Sequence, residues 1–358
     1  MEKEIRTIRI LLSFLVGVLF VYLIGILSSM LIPLALALFM ALLLQPVLAW
    51  LERKSIPFVV SLLLISVVAI ATLFLCGRIF ISTYNNLLKD KNRLSGLLKE
   101  KLQGIFDYFN QYANTDLNWD TLNKNLGGLL SYDWLLDSSG AFATFISDLT
   151  GSFVLTLLYF VAFLGGILQY ESYIDYLADK KDTLEDNKML KAFEEVKNSI
   201  VTYMKVKFFA SLLTGLSFTI ISWIFGIDFA LFWGFLAFIL NFIPNIGSII
   251  ATIPPILLAM IELNSTSMLL ISTLLFIAVQ FYFGNILEPK WMGSSLSLNT
   301  VTFILGLVFW GKLWGITGML LSVPLLVLTK VILSQFPDAK LFVRLMGTFE
   351  NPNHSKKK

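Results

Sequence analysis

Residues 241–247 read Asn-Phe-Ile-Pro-Asn-Ile-Gly and sit between two apolar stretches, 229–243 and 246–262, each short for a membrane span. Residues 284–290 read Gly-Asn-Ile-Leu-Glu-Pro-Lys and close the next long apolar stretch. Helix breakers and amides inside such sequence free backbone groups from their hydrogen bonds. In hydrocarbon those groups are tolerated only where they face protein or a water-filled cavity. The pattern therefore points to a transport site rather than an anchor.

Composition sets the class. Of 358 residues, 57% are hydrophobic and 14% charged, against about 25% charged in an ordinary soluble domain. Apolar runs of bilayer length with so few charges make an all-α polytopic membrane protein. No Lys/Arg stripe with interleaved aromatics is present, so nucleic acid is not expected as a partner. Cys76 is the only cysteine and His354 the only histidine. That leaves no disulfide, no Cys/His metal site and no Ser-His or Cys-His catalytic pair. No catalytic residue, metal or cofactor is expected, and the chain does not read as an enzyme.

About six stretches reach the roughly 20 residues of a full span: 10–31, 33–51, 57–80, 150–169, 208–227 and 266–287. The first follows Lys3, Arg6 and Arg9 but is long and lacks a cleavage signal, so it reads as a retained helix. Pro33 suits the first turn of the second helix. With 229–243, 246–262, 299–312 and 314–335, the last interrupted by Pro324, the chain holds about eight to ten apolar segments. Basic flanks orient them. Lys3, Arg6, Arg9, Arg53 and Lys54 place the N-terminus and second loop in the cytoplasm, and Lys330, Lys340, Arg344 and Lys356–Lys358 place the C-terminus there too.

These signals divide the chain into an N-terminal three-helix region (1–82), an extracytoplasmic helical insertion (83–147), a fourth span with a cytoplasmic amphipathic helix (148–207), a core (208–337) and a tail (338–358). Leu94 to Phe109 reads as an amphipathic helix. Phe193, Val196, Ile200, Tyr203 and Lys207 recur at three- and four-residue spacing, which gives a second amphipathic helix leading into a span. It is expected to lie along the cytoplasmic surface. The core falls into two blocks, each a full span followed by two short arms. By charge they run in opposite directions, as in the inverted repeats of secondary transporters. An arm of 14 residues rises about 21 Å, short of a core of about 30 Å. Two re-entrant helical hairpins are therefore preferred to thin full spans.

The first hairpin tip combines Pro244 and Gly247, which turn the chain, with Asn241 and Asn245, which offer amides to a polar solute or a dehydrated cation. The competing reading is that these asparagines only cap helix ends. Gln280 and Asn285 add polar groups to the path. Glu288 is a candidate for gating or ion coupling, with Pro289 ending the helix after it. The bland alternative is a Glu288–Lys290 or Glu288–backbone contact. Lys312 is the lone cation in the second break, 311–315, and either holds an anion or snorkels. Asp228 is expected to cap the arm that follows it.

Ile243-Pro-Asn-Ile-Gly247, the run Gly284-Asn-Ile-Leu-Glu-Pro-Lys-Trp-Met-Gly293 and Trp314-Gly-Ile-Thr-Gly-Met-Leu-Leu-Ser-Val-Pro324, in this order, closely resemble the AI-2E transporter family. The first motif often reads Ile-Pro-Tyr-Ile-Gly in that family, and here Asn245 takes the aromatic position. Trp291 stands where a smaller apolar residue is usual. The resemblance implies a carrier of the bacterial inner membrane, surrounded by membrane lipid and assembled as a homo-oligomer, a pentamer. It also implies export of autoinducer-2 or, in other members, sodium–proton antiport.

The expectation is thus a multi-pass transporter exporting a small polar solute, with Asn241, Pro244, Asn245, Gly247, Gln280 and Asn285 on the path. Glu288, Pro289, Lys290 and Lys312 are assigned to gating or coupling. The alternatives are a sodium–proton antiporter moving a monovalent cation, and a membrane scaffold acting through 83–147.

Overall fold

A computed structural model of the chain describes residues 2–113, 131–164, 188–244, 246–292, 298–334 and 339–347, together with Lys124 and Gly166. Every regular element among them is helical. The helices are α1 (Glu2–Ile26), α2 (Ser28–Arg53), α3 (Phe58–Lys89), α4 (Lys91–Ala113), α5 (Tyr132–Gly151) and α6 (Phe153–Leu164). They continue as α7 (Lys188–Phe225), α8 (Ala230–Leu240), α9 (Ile246–Glu262), α10 (Thr266–Phe281), a π-helical turn (Tyr282–Leu287) and α11 (Glu288–Met292). Thr300–Ser334 forms α12, and Lys340–Met346 forms α13. By length and composition five of these stretches, with α12 taken whole, could cross a membrane, or six if the bent pair α5–α6 counts as one span. The chain is an all-α polytopic membrane protein.

Cα proximity groups the chain into two compact units. One holds 1–62, 151–201 and 296–358; the other holds 63–150 and 202–295.

In the second unit, α8 and α9 form the first hairpin. Gly247 at the start of α9 lies so close to the carbonyl oxygen of Leu240 that no Cβ fits between them. The sequence reading of two arms turning at 241–247 holds. α7 packs on α8 through paired glycines: a Cβ on Gly215 would fall 2.6 Å from the Gly234 carbonyl oxygen. Around this crossing Phe80, Phe218, Phe232, Trp233 and Phe276 are fully buried. Phe80 stacks on Phe232 at 4.7 Å, and Phe218 on Phe276 at 4.9 Å. Aromatic pairs at this range prefer such tilted geometry.

The insertion is partly described. Its α4 is amphipathic as expected, with Leu94, Leu98 and Leu102 buried on one stripe. The Lys101 ammonium donates to the carbonyls of Ile261 and Leu263, both at 2.9 Å, and so ties α4 to the open C-terminus of α9. Those carbonyls have no helical partner of their own. Residues 114–123 of the insertion, with Trp119, lie outside the described residues.

In the first unit, α12 reads as one helix by hydrogen bonding, but Gly315 interrupts it at φ 61°, ψ −142°. Only glycine adopts such backbone readily. Across this point the chain folds back on itself. Gly311 faces Met319, Gly306 faces Leu326 and Gly318 abuts the Trp310 carbonyl. In a straight helix Gly306 and Leu326 would stand about 30 Å apart. The second helical hairpin expected from 299–335 is therefore present, with its tip at Gly315. Trp314 donates from Nε1 to the Ile24 carbonyl of α1 at 3.2 Å. Asn299 closes the base of this hairpin. Its Oδ1 accepts from the amide of Thr302 at 2.7 Å and its amide nitrogen donates to the Leu345 carbonyl, capping α12 and α13 together.

Several expectations need correction. The first break falls at Leu27, before Pro33, which is buried inside α2. The segment 188–207 is not a separate surface helix, because α7 runs unbroken into the span. Asp228 does not cap α8 with its side chain. Phe229 is the N-cap residue, with φ 60°, while the Asp228 backbone amide donates to Glu262 at 2.9 Å and its carbonyl accepts from Trp233 Nε1. Pro289 does not end its helix. The proline ring would collide with the carbonyl four residues back in α geometry. The π turn just upstream widens the coil, Glu288 donates its amide to Phe283, and the helix continues to Met292.

Candidate functional site

The second unit contains a cavity of about 540 Å³ between α7, the first hairpin tip, α9, α10 and the π turn. Ile249, Ile253, Ile256, Ile277 and Phe281 make most of its wall apolar. Polar groups come from five places: Lys207 on α7, Asn241 at the tip beside Pro244, Ser248 and Thr252 on α9, Gln280 on α10, and Asn285 with Glu288 around the π turn. An apolar shell with a few convergent polar groups is the usual make-up of a small-molecule site.

Two polar systems organise it. In the first, the Lys207 ammonium meets both carboxylate oxygens of Glu288, at 2.6 and 2.8 Å. Lys207 is 3% exposed. Taking two charges out of water costs several kcal/mol per ion, and only close, doubly bonded geometry offsets it. The pair leaves the cavity without net charge at this end. The sequence allowed Glu288 to bind Lys290, but residues two apart on a helix do not face each other. Lys290 is exposed on α11.

The second system is a chain of side-chain hydrogen bonds. Asn241 donates from Nδ2 to Ser211 Oγ at 3.0 Å. Gln280 donates from Nε2 to Asn241 Oδ1 at 3.2 Å and to Ser248 Oγ at 2.7 Å. This chain joins α7, the hairpin tip, α9 and α10. Both N–H bonds of the Gln280 amide are engaged, whereas its Oε1 is buried with no hydrogen-bond partner. A buried unpaired acceptor costs about 1–3 kcal/mol, so this atom sits ready for a donor. Pro254 and Pro255 withhold amides from the carbonyls of Ile250 and Ala251 within α9.

Five expected path or gating residues thus meet in one cavity: Asn241, Pro244, Gln280, Asn285 and Glu288. Gly247 serves the hairpin crossing instead of the lining. Pro289 is exposed next to Lys290 on α11. Lys312 belongs to the other compact unit, exposed beside the second hairpin tip. Asn245 lies outside the described residues. Sequence reasoning missed Lys207, Ser211, Ser248 and Thr252. Lys207 did leave a signal: it is the one charged residue in the apolar stripe 193, 196, 200, 203, 207. Ser211, Ser248 and Thr252 leave none, since a hydroxyl in an apolar helix equally well bonds back to its own helix, as Thr252 does to the Ser248 carbonyl.

At the other end of the hairpin, Glu262 accepts the Asp228 amide at 2.9 Å and lines a smaller cavity of about 280 Å³ with Asp90, Arg93 and Asp228. Burial is the main cause that raises its carboxyl from 4.5 to about 7, and the neighbouring Asp228 carboxylate adds to it. The amide bond it accepts works the other way.

The sequence model of one family, described as AI-2E family transporter, matches residues 8–338. A protein of Haemophilus influenzae named "Putative transport protein" is 28% identical over 87% of this chain and 88% of its own length. The Escherichia coli protein YhhT, named in the same words, is 27% identical over 86% of this chain and 85% of itself. The E. coli "AI-2 transport protein TqsA" is 42% identical over a shorter stretch, 40% of this chain and 42% of its own.

Proposed function

The chain belongs to the AI-2E transporter family, and from that premise we propose that it exports a small polar solute of the autoinducer-2 type across the bacterial inner membrane. The carrying observation is the cavity that gathers Lys207–Glu288, the Asn241–Gln280–Ser248 chain and Asn285 among apolar helices. Asn285 and Gln280 contact the solute. Asn241 braces Gln280 from behind, being only 2% exposed. Glu288 gates the site through Lys207. Both termini are cytoplasmic, as the basic flanks indicate, and the assembly is a homo-oligomer, a pentamer by family resemblance. The name of the partial relative TqsA supports the choice of autoinducer-2 as the first solute to test.

The sodium–proton alternative gains no support. Of the acids it drew on, Glu288 is held by Lys207, and Asp228 is exposed away from the cavity.

Efflux of autoinducer-2 from proteoliposomes tests the proposal. Wild-type vesicles are expected to lose it at least tenfold faster than protein-free vesicles, and Asn285→Ala with Gln280→Leu to lower that rate. Wild-type efflux equal to the protein-free rate would overturn the reading.

A further inference from the structure

Arg78 is the one charged residue between Phe58 and Leu88 of α3, a helix that contains a stretch long and apolar enough to cross the membrane. A cation inside a span is costly, so such residues pair with an anion or line a functional pathway. Among the described residues no carboxylate forms an ion pair with Arg78. Its guanidinium lies over the Phe74 ring, 6.0 Å from the centroid, an interaction worth only about 0.5–2 kcal/mol. Within the described residues Arg78 is thus a cation with an aromatic neighbour and no carboxylate partner.

What surrounds Arg78 is a groove of about 950 Å³, separate from the solute cavity, between α3, the end of α7 and the start of α8. Leu75, Trp223 and Leu231 line it, and they are 62%, 78% and 64% exposed. Ser82 and Asn86 lie one and two turns beyond Arg78 on the same face of α3. Arg78 stands near the end of the expected span 57–80, and Ser82 and Asn86 lie about 6 and 12 Å beyond it along the helix. The trough thus crosses the edge of the hydrocarbon, apolar along its sides, with a cation and two neutral hydrogen-bonding side chains on one wall.

We propose that this groove binds an anionic phospholipid, with its phosphate on Arg78, its polar headgroup beside Ser82 and Asn86, and an acyl chain along Leu75, Trp223 and Leu231. Arginine presents a planar fork that grips phosphate oxygens two at a time. A soluble phosphate would leave the exposed apolar wall uncovered. A second copy of this chain packed face to face would bring Arg78 against a lining that has no acidic residue, and a heterologous ring contact made through Arg78 would show as dissociation of the oligomer on its removal. The lipid satisfies both the cation and the apolar wall.

Native mass spectrometry of the purified full-length protein tests this, with phosphatidylglycerol as the probe and phosphatidylcholine as the zwitterionic comparison. Wild type is expected to retain phosphatidylglycerol at collision energies that strip phosphatidylcholine. Arg78→Gln is expected to cut the retained phosphatidylglycerol at least fivefold, and Trp223→Ala to weaken both lipids alike. Arg78→Lys keeps the charge without the fork and is expected to retain an intermediate amount, which serves as the readout should Arg78→Gln misfold. Equal retention of the two lipids by wild type overturns the proposal. So does phosphatidylglycerol retention unchanged by both Arg78 variants, or an oligomer that dissociates on Arg78→Gln without any change in bound lipid.

Discussion

Lys207 and Glu288 are 81 residues apart in the chain and meet as a doubly bonded ion pair, 2.6 and 2.8 Å, in the wall of the polar cavity. The contact ties α7 to the π turn that follows α10. Glu288 is also the residue that follows the π turn, immediately before Pro289.

Removing either member leaves a buried charge alone. Lys207→Met and Glu288→Gln are each expected to lower stability by about 3–5 kcal/mol. The double variant Lys207→Met/Glu288→Gln should lose less than the sum, because no charge is then left unpaired. Thermal unfolding in detergent across the full double-mutant cycle measures the coupling. A strictly additive double variant would show that the pair does not act as a unit.

Gln280→Leu keeps the bulk but leaves Asn241 Oδ1 and Ser248 without their donor. A loss of about 1–3 kcal/mol is expected from unpaired buried acceptors. Autoinducer-2 efflux should fall about tenfold. Ser211→Ala, which only loosens the far end of the chain, should change efflux much less. Vesicle flux side by side with unfolding temperature separates the two effects.

The second hairpin depends on two glycines for different reasons. Gly315→Ala puts a side chain on backbone at φ 61° and is expected to cost about 1–3 kcal/mol. Gly318→Val should be worse, since the added carbons meet the Trp310 backbone carbonyl, which cannot move aside as a side chain can. Expression level and unfolding temperature of the two variants give the ranking.

Glu262 predicts a pH dependence. Its folded pKa of about 7 lies above the ordinary 4.5, so the folded protein favours the protonated carboxyl. That contribution is fully present below about pH 4.5 and is lost as pH rises through about 7, where the unfolded chain holds fewer protons than the folded one. Stability is therefore expected to decline across this window from this group. Glu262→Gln, which keeps an acceptor for the Asp228 amide, should flatten the decline and be the more stable form above pH 7. Unfolding temperatures from pH 4.5 to 8 compare the two.

The two hairpins are legible in the sequence because their breakers are local. Pro244 with Gly247, and Gly311 with Gly315, interrupt apolar arms too short to span, and backbone geometry at a breaker depends on few neighbours. The amphipathic stripe of α4 is legible for the same reason, since helical periodicity places Leu94, Leu98 and Leu102 on one face. The membrane class follows from composition alone, because burying charge in hydrocarbon is prohibitive. What no local signal carries is pairing. The stripe that ends in Lys207 shows a lysine among apolar positions but not its partner, which is brought by a helix 81 residues later. Sequence periodicity likewise does not show that Asn241 is sealed behind Gln280, or that Arg78 faces a groove without an acid. Those are consequences of which helix faces meet. Meeting is decided by close approach at positions such as Gly215 and Gly234, where the absence of a side chain lets two backbones come together. The sequence by itself determined the class, the two hairpin breaks and most of the candidate polar residues. Only the tertiary structure decided which of them share a cavity, because the free energy of a buried polar group depends on partners that packing alone supplies.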